Sequence, residues 1–403
     1  MHNRYQLPGG EDVVVAQESA MLRCGGHNVD LFEANNDHIE PGAGGIDAVR
    51  AALRCVYSKD SARTMLWRVS DFRPDVVHIH NFFPTLSPSI HHVLSSAGVP
   101  VVQTLHNYRL LCPASTLLRD GKPCEDCAFR LLPLPAVRHK CYRGSMSASA
   151  AVAAMLAFHR QLGTWRRTVS RFIALSEFAR EKFTAGGIPR EKIVVKPNFV
   201  ASDPGIGSGR GGYALFVGRL AEEKGIQVLL DAWKLLPLGI QLRIVGDGPL
   251  RQKVEQTAHN STNIEWLPWQ SREEVCRLMA DAAVLIMPSI WYEGFGLVII
   301  EAYATALPVI ASQIGVLGEI VEDGVTGRLF QPGNAQDLAR KVTEILSSPA
   351  RLSQLRSNAR REYEEKYTPN TNYDMLMDIY WKAIGDECGS ACAGRPSLVA
   401  GDV

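Results

Sequence analysis

The sequence predicts an α/β protein of two doubly wound, Rossmann-like domains facing a cleft. Three observations predict it. Short β-branched runs alternate with helical periodicity, the mark of crossover connections in a parallel sheet. The alternation restarts after a Gly/Ser/Pro-rich break at 201–212. In the second half, glycine-bearing turns follow strands and open helices, where such sheets bind ligands.

The chain has 403 residues, 46% hydrophobic and 21% charged. That length suits two or three domains with real cores. Lys and Arg number 43 against 42 Asp and Glu, a net charge of +1. This excludes a globally basic nucleic-acid binder, and no nucleic-acid partner is expected. No run of 18 apolar residues reads as a membrane span. The opening residues Met1 to Tyr5 lack the apolar core of a signal peptide. Nine cysteines in a chain this long do not make a secreted disulfide scaffold. A cytoplasmic protein with reduced thiols is expected.

In the first domain, 1–200, strands are expected at 75–80, 100–105, 171–175 and 192–196, with helices at 89–97 and 177–185. A sheet of this kind wants an apolar strand before the loop at 2–11, yet the chain begins at that loop. Either a strand lies upstream or the sheet lacks one. The break at 201–212 is read as a linker. Its G-x-G-x-G precedes a strand instead of following one, against a dinucleotide fingerprint. The second domain, 213–362, has expected strands at 213–217, 240–245, 283–287 and 308–311, and helices at 226–236, 272–280 and 297–305. Residues 363–384 are expected to cross back onto the first domain as helix, and 385–403 to form a disordered tail.

The candidate site lies where these strands end. Glu293-Gly294-Phe295-Gly296-Leu297 follows one strand and opens a helix, with Glu301 eight residues after Glu293. Glycines admit a ligand to the backbone, and the free N–H groups of a helix start favour phosphate. Glu301 can accept hydrogen bonds from a ribose diol. The plainer reading is a helix start with acidic residues favourable to its dipole. Gly218-Arg219 ends the domain's first strand, and Glu223-Lys224-Gly225 opens the next helix. Arg219 and Lys224 together offer a fork and a point charge for a diphosphate.

The run G-R-x-x-x-E-K-G, then G-D-G-P, then E-G-F-G-L-x-x-x-E resembles the retaining glycosyltransferases of family 4, which have the GT-B fold. Pro197-Asn198, 308–312 and 319–324 fit the same resemblance, which spans nearly the whole chain. It implies a nucleotide-diphospho-sugar donor and a glycan or lipid-linked acceptor. By that resemblance Arg219 and Lys224 hold the diphosphate, and Glu301 the ribose hydroxyls. Glu293 sits at the sugar, with the backbone of Gly294, Phe295, Gly296 and Leu297 on sugar and phosphate, alongside Gly218. His106, at a strand end, touches the sugar. The loop Pro8-Gly9-Gly10-Glu11 approaches the donor phosphate and the acceptor. The catalytic set is then Glu293, His106, Arg219 and Lys224. The debated route is front-face attack, the leaving diphosphate taking the acceptor proton. No catalytic cofactor is expected, since two cations stand where a metal clamp would. Trp266-Leu267-Pro268-Trp269 departs from the family near the base pocket, because proline offers no N–H. His78 is read as core and His80 as acceptor lining. Two rivals stand: a GT-B nucleotide-sugar epimerase, and a non-catalytic nucleotide-sugar-binding protein.

Cys112, Cys124, Cys127 and Cys141 fall in one insertion, about 108–145, spaced C-x11-C-x2-C-x13-C. This suits a four-thiolate structural zinc. Unrelated thiols or redox disulfides remain alternatives. From Ala128 to Ser176 there is no Asp or Glu, while Arg130, Arg138, Lys140, Arg143, Arg160, Arg166, Arg167 and Arg171 are present with apolar residues and Trp165 between them. That reads as a surface for anionic lipid, making the protein peripheral on the membrane's cytoplasmic face, or as a solvated helix face.

Overall fold

The computed structural model describes residues 1–4, 9–34 and 46–393. The first domain holds β1 (His2–Asn3), β2 (Glu33–Ala34), β3 (Val77–Ile79), β4 (Val101–Leu105), β5 (Leu118–Arg119), β6 (Lys122–Pro123), β7 (Arg171–Ala174) and β8 (Ile193–Val195). Its helices are α1 (Gly10–Cys24), α2 (Ile46–Val56), α3 (Lys59–Phe72), α4 (Ser89–Ser96), α5 (Leu134–Arg138), α6 (Met146–Leu162), α7 (Thr164–Thr168) and α8 (Glu177–Ala185). β3, β4, β7 and β8 form a parallel sheet in that order. β4 is buried along its whole length, as a central parallel strand covered on both faces must be.

The chain does not start on a loop, as the sequence suggested. His2–Asn3 is a short strand, parallel to β2 with His2 opposite Glu33. It also reaches the end of β3, where His80 N–H donates to Met1 O at 3.0 Å. Two residues flanked by Met1 and Arg4 carry too little periodicity to announce a strand.

The second domain carries β9 (Tyr213–Val217), β10 (Gln241–Val245), β11 (Ile264–Leu267), β12 (Val284–Met287), β13 (Val309–Ser312) and β14 (Gly327–Phe330). Between and after them run α9 (Ile226–Leu235), α10 (Arg251–His259), α11 (Arg272–Asp281), α12 (Leu297–Ala304), α13 (Leu317–Ile320), α14 (Ala335–Leu346), α15 (Pro349–Lys366) and α16 (Pro369–Ala393). All six strands are parallel, ordered β11-β10-β9-β12-β13-β14. The order reverses between β9 and β12, the place where a doubly wound sheet opens a crevice. One core lies on each sheet face. Trp233, Phe216 and Phe330 fill one; Tyr303, Tyr363 and Ile299 fill the other.

Two boundaries differ from the sequence reading. Residues 201–212 are not a free linker. Gly207 N–H donates to Thr305 O, Gly209 N–H to Ala280 O and Gly211 N–H to Asp281 O, at 2.8–3.0 Å. A Cβ on Gly207 would stand 2.2 Å from Ala280 O, so the glycines serve close packing against α11. The crossing element is α16, which starts at Pro369 after α15 has packed on α12. Its Leu376, Ile379, Tyr380 and Ala383 cover Val102 and Ile173 of the first sheet. It continues to Ala393, so 385–393 is helix and not tail. Residues 394–403 lie outside the described residues.

Candidate active site

Glu293 sits on the turn between β12 and α12, buried at 5% exposure. Lys224 Nζ stands 2.7 and 2.9 Å from its two carboxylate oxygens, and Ser289 Oγ donates to Oε1 at 2.6 Å. Burial alone would raise the carboxyl's pKa. The Lys224 charge and these hydrogen bonds outweigh it and hold Glu293 below the ordinary range, as a carboxylate. The Lys224 ammonium also lies 5.6 Å from the Trp291 ring centroid.

The next residues join the two domains. A Cβ on Gly294 would meet His106 O of the first domain at 2.5 Å, so a larger residue would push the domains apart. Tyr108 OH donates to Glu293 O at 3.4 Å. Gly296, with φ at +98°, turns the chain into α12 and leaves the helix's first N–H groups without a side-chain cap. Phe295 is buried against Tyr367. On the other wall, Gly10 lies against Leu297. The preceding Gly9 N–H donates to Asp12 Oδ2 at 2.7 Å, starting α1 in the cleft.

Gly218 and Arg219 follow β9. Arg219 is exposed and its side chain makes no hydrogen bond or ion pair among the described residues, so its guanidinium is available. Glu301 lies one turn into α12. Its carboxyl is raised above the usual range by burial, with Arg272 opposing from 3.5 Å. Trp269 is 75% exposed, while Trp266 is tied by its indole N–H to Gly246 O at 3.1 Å.

His106 closes the first-domain side. Its Nε2 is 2.9 Å from His80 Nδ1, and burial pushes its pKa down to about 3. His80 does not line the acceptor side as expected; it is buried behind His106 and 3.5 Å from Glu18. His78 is core, bonded to Tyr380 OH and Thr104 Oγ1 at 2.8 and 2.7 Å. Glu18, His78 and His80 bring three ligand atoms within 4.8 Å of one another. Lys196 already neutralises this carboxylate at 2.8 Å, and the two imidazoles lie 3.7 and 3.5 Å from its other oxygen without a hydrogen bond to it. No motif marks Glu18 and Lys196 as a pair, since 178 positions separate them.

Sequence comparison fixes the family. Residues 9–198 match the model of the glycosyl transferase 4-like domain, and 208–362 that of glycosyl transferases group 1. The chain belongs to the GT-B glycosyltransferases. An uncharacterized glycosyltransferase of Methanocaldococcus jannaschii is 36% identical over 158 residues, 39% of this chain and 44% of the relative. Thus less than half of that relative's length is matched. The alpha-D-kanosaminyltransferase of Streptomyces kanamyceticus is 25% identical over 74% of this chain and 73% of its own. Among solved structures, sucrose-phosphate synthase of Thermosynechococcus elongatus superposes with a TM-score of 0.69 at 18% identity, covering 96% of each chain. Anabaena HepE in complex with UDP-glucose gives 0.63 at 18% identity, over 96% of this chain and 99% of that one.

In this glycosyltransferase the cysteine insertion folds as the β5–β6 hairpin, a turn and α5. Cys112 and Cys127 are buried, Cys124 and Cys141 partly so, and no disulfide joins them. Burial first, then the neighbouring thiols of Cys112, Cys141 and Cys124, push the Cys127 thiol up to about 11. The four are neighbours, but Cys124 bonds Asp126, and the quartet is not gathered as tightly as the Glu18 trio.

The acid-free stretch divides. Arg160 is spent on the carbonyls of Leu110 and Leu111, and Arg171 pairs with Asp386. Trp165 is buried at 5% exposure and cannot face lipid. Arg130, Arg138, Lys140, Arg143, Arg166 and Arg167 are exposed. Phe129, Leu131, Leu132, Leu134 and Phe158 stand among them, each 47–63% exposed. No described helix is long and apolar enough to cross a membrane.

Proposed function

We propose that the protein is a retaining glycosyltransferase that moves a sugar from a nucleotide-diphosphate donor to a glycan or lipid-linked acceptor in cell-surface polysaccharide or glycolipid synthesis. The observation that carries this reading is the Lys224–Glu293 ion pair beside the uncapped start of α12, with Arg219 unpaired nearby. The diphosphate bridges Arg219, Lys224 and the N–H groups of α12. Lys224 then shares its charge between Glu293 and the phosphate. Glu301 takes the ribose hydroxyls, and the Glu293 carboxylate orients the sugar. Glycosidic cleavage places charge on the leaving phosphate, where fixed cations count most. A phosphate oxygen accepts the acceptor's proton on the same sugar face, so configuration is retained. His106, neutral and braced by His80, positions the sugar from the other domain.

Anabaena HepE holds UDP-glucose in its structure, which supports a nucleotide-sugar donor here. The exposed apolar and basic surface at 129–167 supports a lipid-linked acceptor presented at an anionic membrane. We further propose that Cys112, Cys124, Cys127 and Cys141 hold one structural zinc, which would draw these neighbouring thiols together.

The test is a screen of sugar nucleotides with and without lipid-linked acceptors, reading nucleoside diphosphate release. Transfer predicts release coupled to acceptor glycosylation. Conversion of the donor without acceptor would favour an epimerase, and binding without turnover a non-catalytic protein.

A further inference from the structure

A groove of about 280 Å³ lies in the first domain, on the face that carries the acid-free stretch. Leu110 and Leu111, the turn 128–131, the junction of α6 with α7 and the end of α8 at 185–188 enclose it. Its walls are braced from within. Arg160 donates to the carbonyl oxygens of Leu110 and Leu111 at 2.8 and 2.9 Å and to that of Cys127 at 3.4 Å, and it also bonds Arg130 O. One guanidinium thus ties both loops to α6. A Cβ on Gly186 would stand 2.2 Å from Leu111 Cδ2, so the end of α8 closes directly on Leu111.

Three features of the lining define what fits it. Leu110, Leu111, Ala128, Trp165 and Ile188 are buried apolar surface, and Phe129 and Leu131 extend that surface outward. None of the lining residues is acidic, while Arg130 and Arg166 are exposed and make no side-chain hydrogen bond among the described residues. The carboxylate closest to them in sequence, Asp126, is already paired with Arg119 at 2.7 Å. The indole N–H of Trp165 is buried and has no acceptor among the described residues. A buried donor left in that state is costly, and an oxygen on an occupant would relieve it.

We propose that this groove binds one hydrocarbon chain bearing a phosphate, the lipid end of the acceptor; the proposal rests on the reading of that acceptor as lipid-linked. The chain fills the apolar trough. At about 30 Å³ for a group the size of a water molecule, the trough holds roughly nine carbons. The phosphate meets Arg130 and Arg166, and the Trp165 indole donates to one of its oxygens or to the ester oxygen. The groove's place in the chain favours the acceptor's lipid over a lipid of the bilayer. Leu110 follows Tyr108 by two residues, at most about 7 Å of extended backbone. Tyr108 OH donates to Glu293 O at 3.4 Å, so a chain held here lies next to the turn proposed to orient the donor sugar.

The test is calorimetric titration of the full chain with hexyl, octyl, decyl and dodecyl phosphate, each below its micelle concentration and without donor. Affinity should rise about fourfold per methylene and level off once about nine carbons are buried. Decyltrimethylammonium should bind at least tenfold more weakly than decyl phosphate. Ile188→Trp, which fills the trough, should remove the dependence on chain length. Arg166→Glu, at an exposed position, should weaken decyl phosphate about tenfold with no change in Tm. Affinity independent of chain length, or decyl phosphate binding unchanged in Arg166→Glu, would overturn the proposal. Vesicle sedimentation separates the two sources of lipid. Ile188→Trp should still bind anionic vesicles; loss of vesicle binding in step with decyl phosphate would assign the groove to a bilayer lipid and overturn the acceptor assignment. These readouts need no glycosyl transfer, so failure of the transferase reading and failure of the groove are seen separately.

Discussion

At the residue scale, the two cations proposed to carry the diphosphate differ in state. Lys224 is already held by Glu293, whereas Arg219 is unpaired and exposed. Arg219→Ala or Lys224→Ala should each cost about 2–4 kcal/mol of transition-state stabilisation, about 30- to 1,000-fold in kcat/KM. Lys224→Ala should also lower the Tm, because it leaves the buried Glu293 charge unpaired, while Arg219→Ala should leave the Tm unchanged. Steady-state kinetics and thermal melts on the two variants separate these effects. A second prediction concerns pH. Burial lowers the pKa of His78, His80 and His106 and of the Met1 amine. The unfolded chain therefore binds more protons than the folded one below about pH 8, at first through the amine and then, below about pH 6.5, through the imidazoles. These groups make stability rise with pH across 5–8. Urea midpoints measured over that range should fall on acidification; a flat profile would contradict neutral, buried imidazoles.

At the element scale, a domain contact that no motif announces depends on α8. Glu319 of α13 accepts the N–H groups of Glu177 and Phe178 at 2.8 and 2.9 Å, meeting the start of a helix in the other domain. Glu319→Ala should cost about 1 kcal/mol, as loss of a helix-start partner does, and speed proteolysis at the domain junction. Limited digestion beside a melt checks both. With zinc on the cysteine quartet, freshly reduced protein should carry about one equivalent of the metal, and a chelator should lower its Tm. Metal-free protein of the same Tm would remove the claim.

Most of the core elements were legible because buried parallel strands are dense in Val, Ile and Leu. The span 213–217 matches β9 residue for residue, and 177–185 matches α8. β11 and β14 escaped because Ile264-Glu265-Trp266-Leu267 and Gly327-Arg328-Leu329-Phe330 lie toward the sheet edges, where polar residues and glycine break the run. The cleft residues were legible by spacing. Their bracing was not, because Glu18 with Lys196 and Glu319 with α8 are pairings across long stretches of chain. The basic stretch was overcounted for the same reason: Arg160 and Arg171 find partners that only the fold brings near.

At the scale of the whole molecule, the exposed cations and apolar side chains of 129–167 should place the enzyme on anionic bilayers without spanning them. Six basic residues at about 1 kcal/mol each, screened by salt, suffice even if half face the lipid. Sedimentation with vesicles should show binding that rises with anionic lipid and falls with salt. Charge reversal at Arg138, Lys140, Arg166 and Arg167 should abolish it and leave nucleotide binding intact. Absence of binding at low salt would favour a soluble acceptor. The proposed activity is sugar transfer with retention at the Glu293–Lys224 site. It is met most directly by following the anomeric proton by NMR, with the donor identified by screening and an acceptor present. The product should keep the donor's anomeric configuration, form in step with nucleoside diphosphate and be lost in Lys224→Ala. A product of inverted configuration, or nucleotide binding with no transferred sugar, would contradict it.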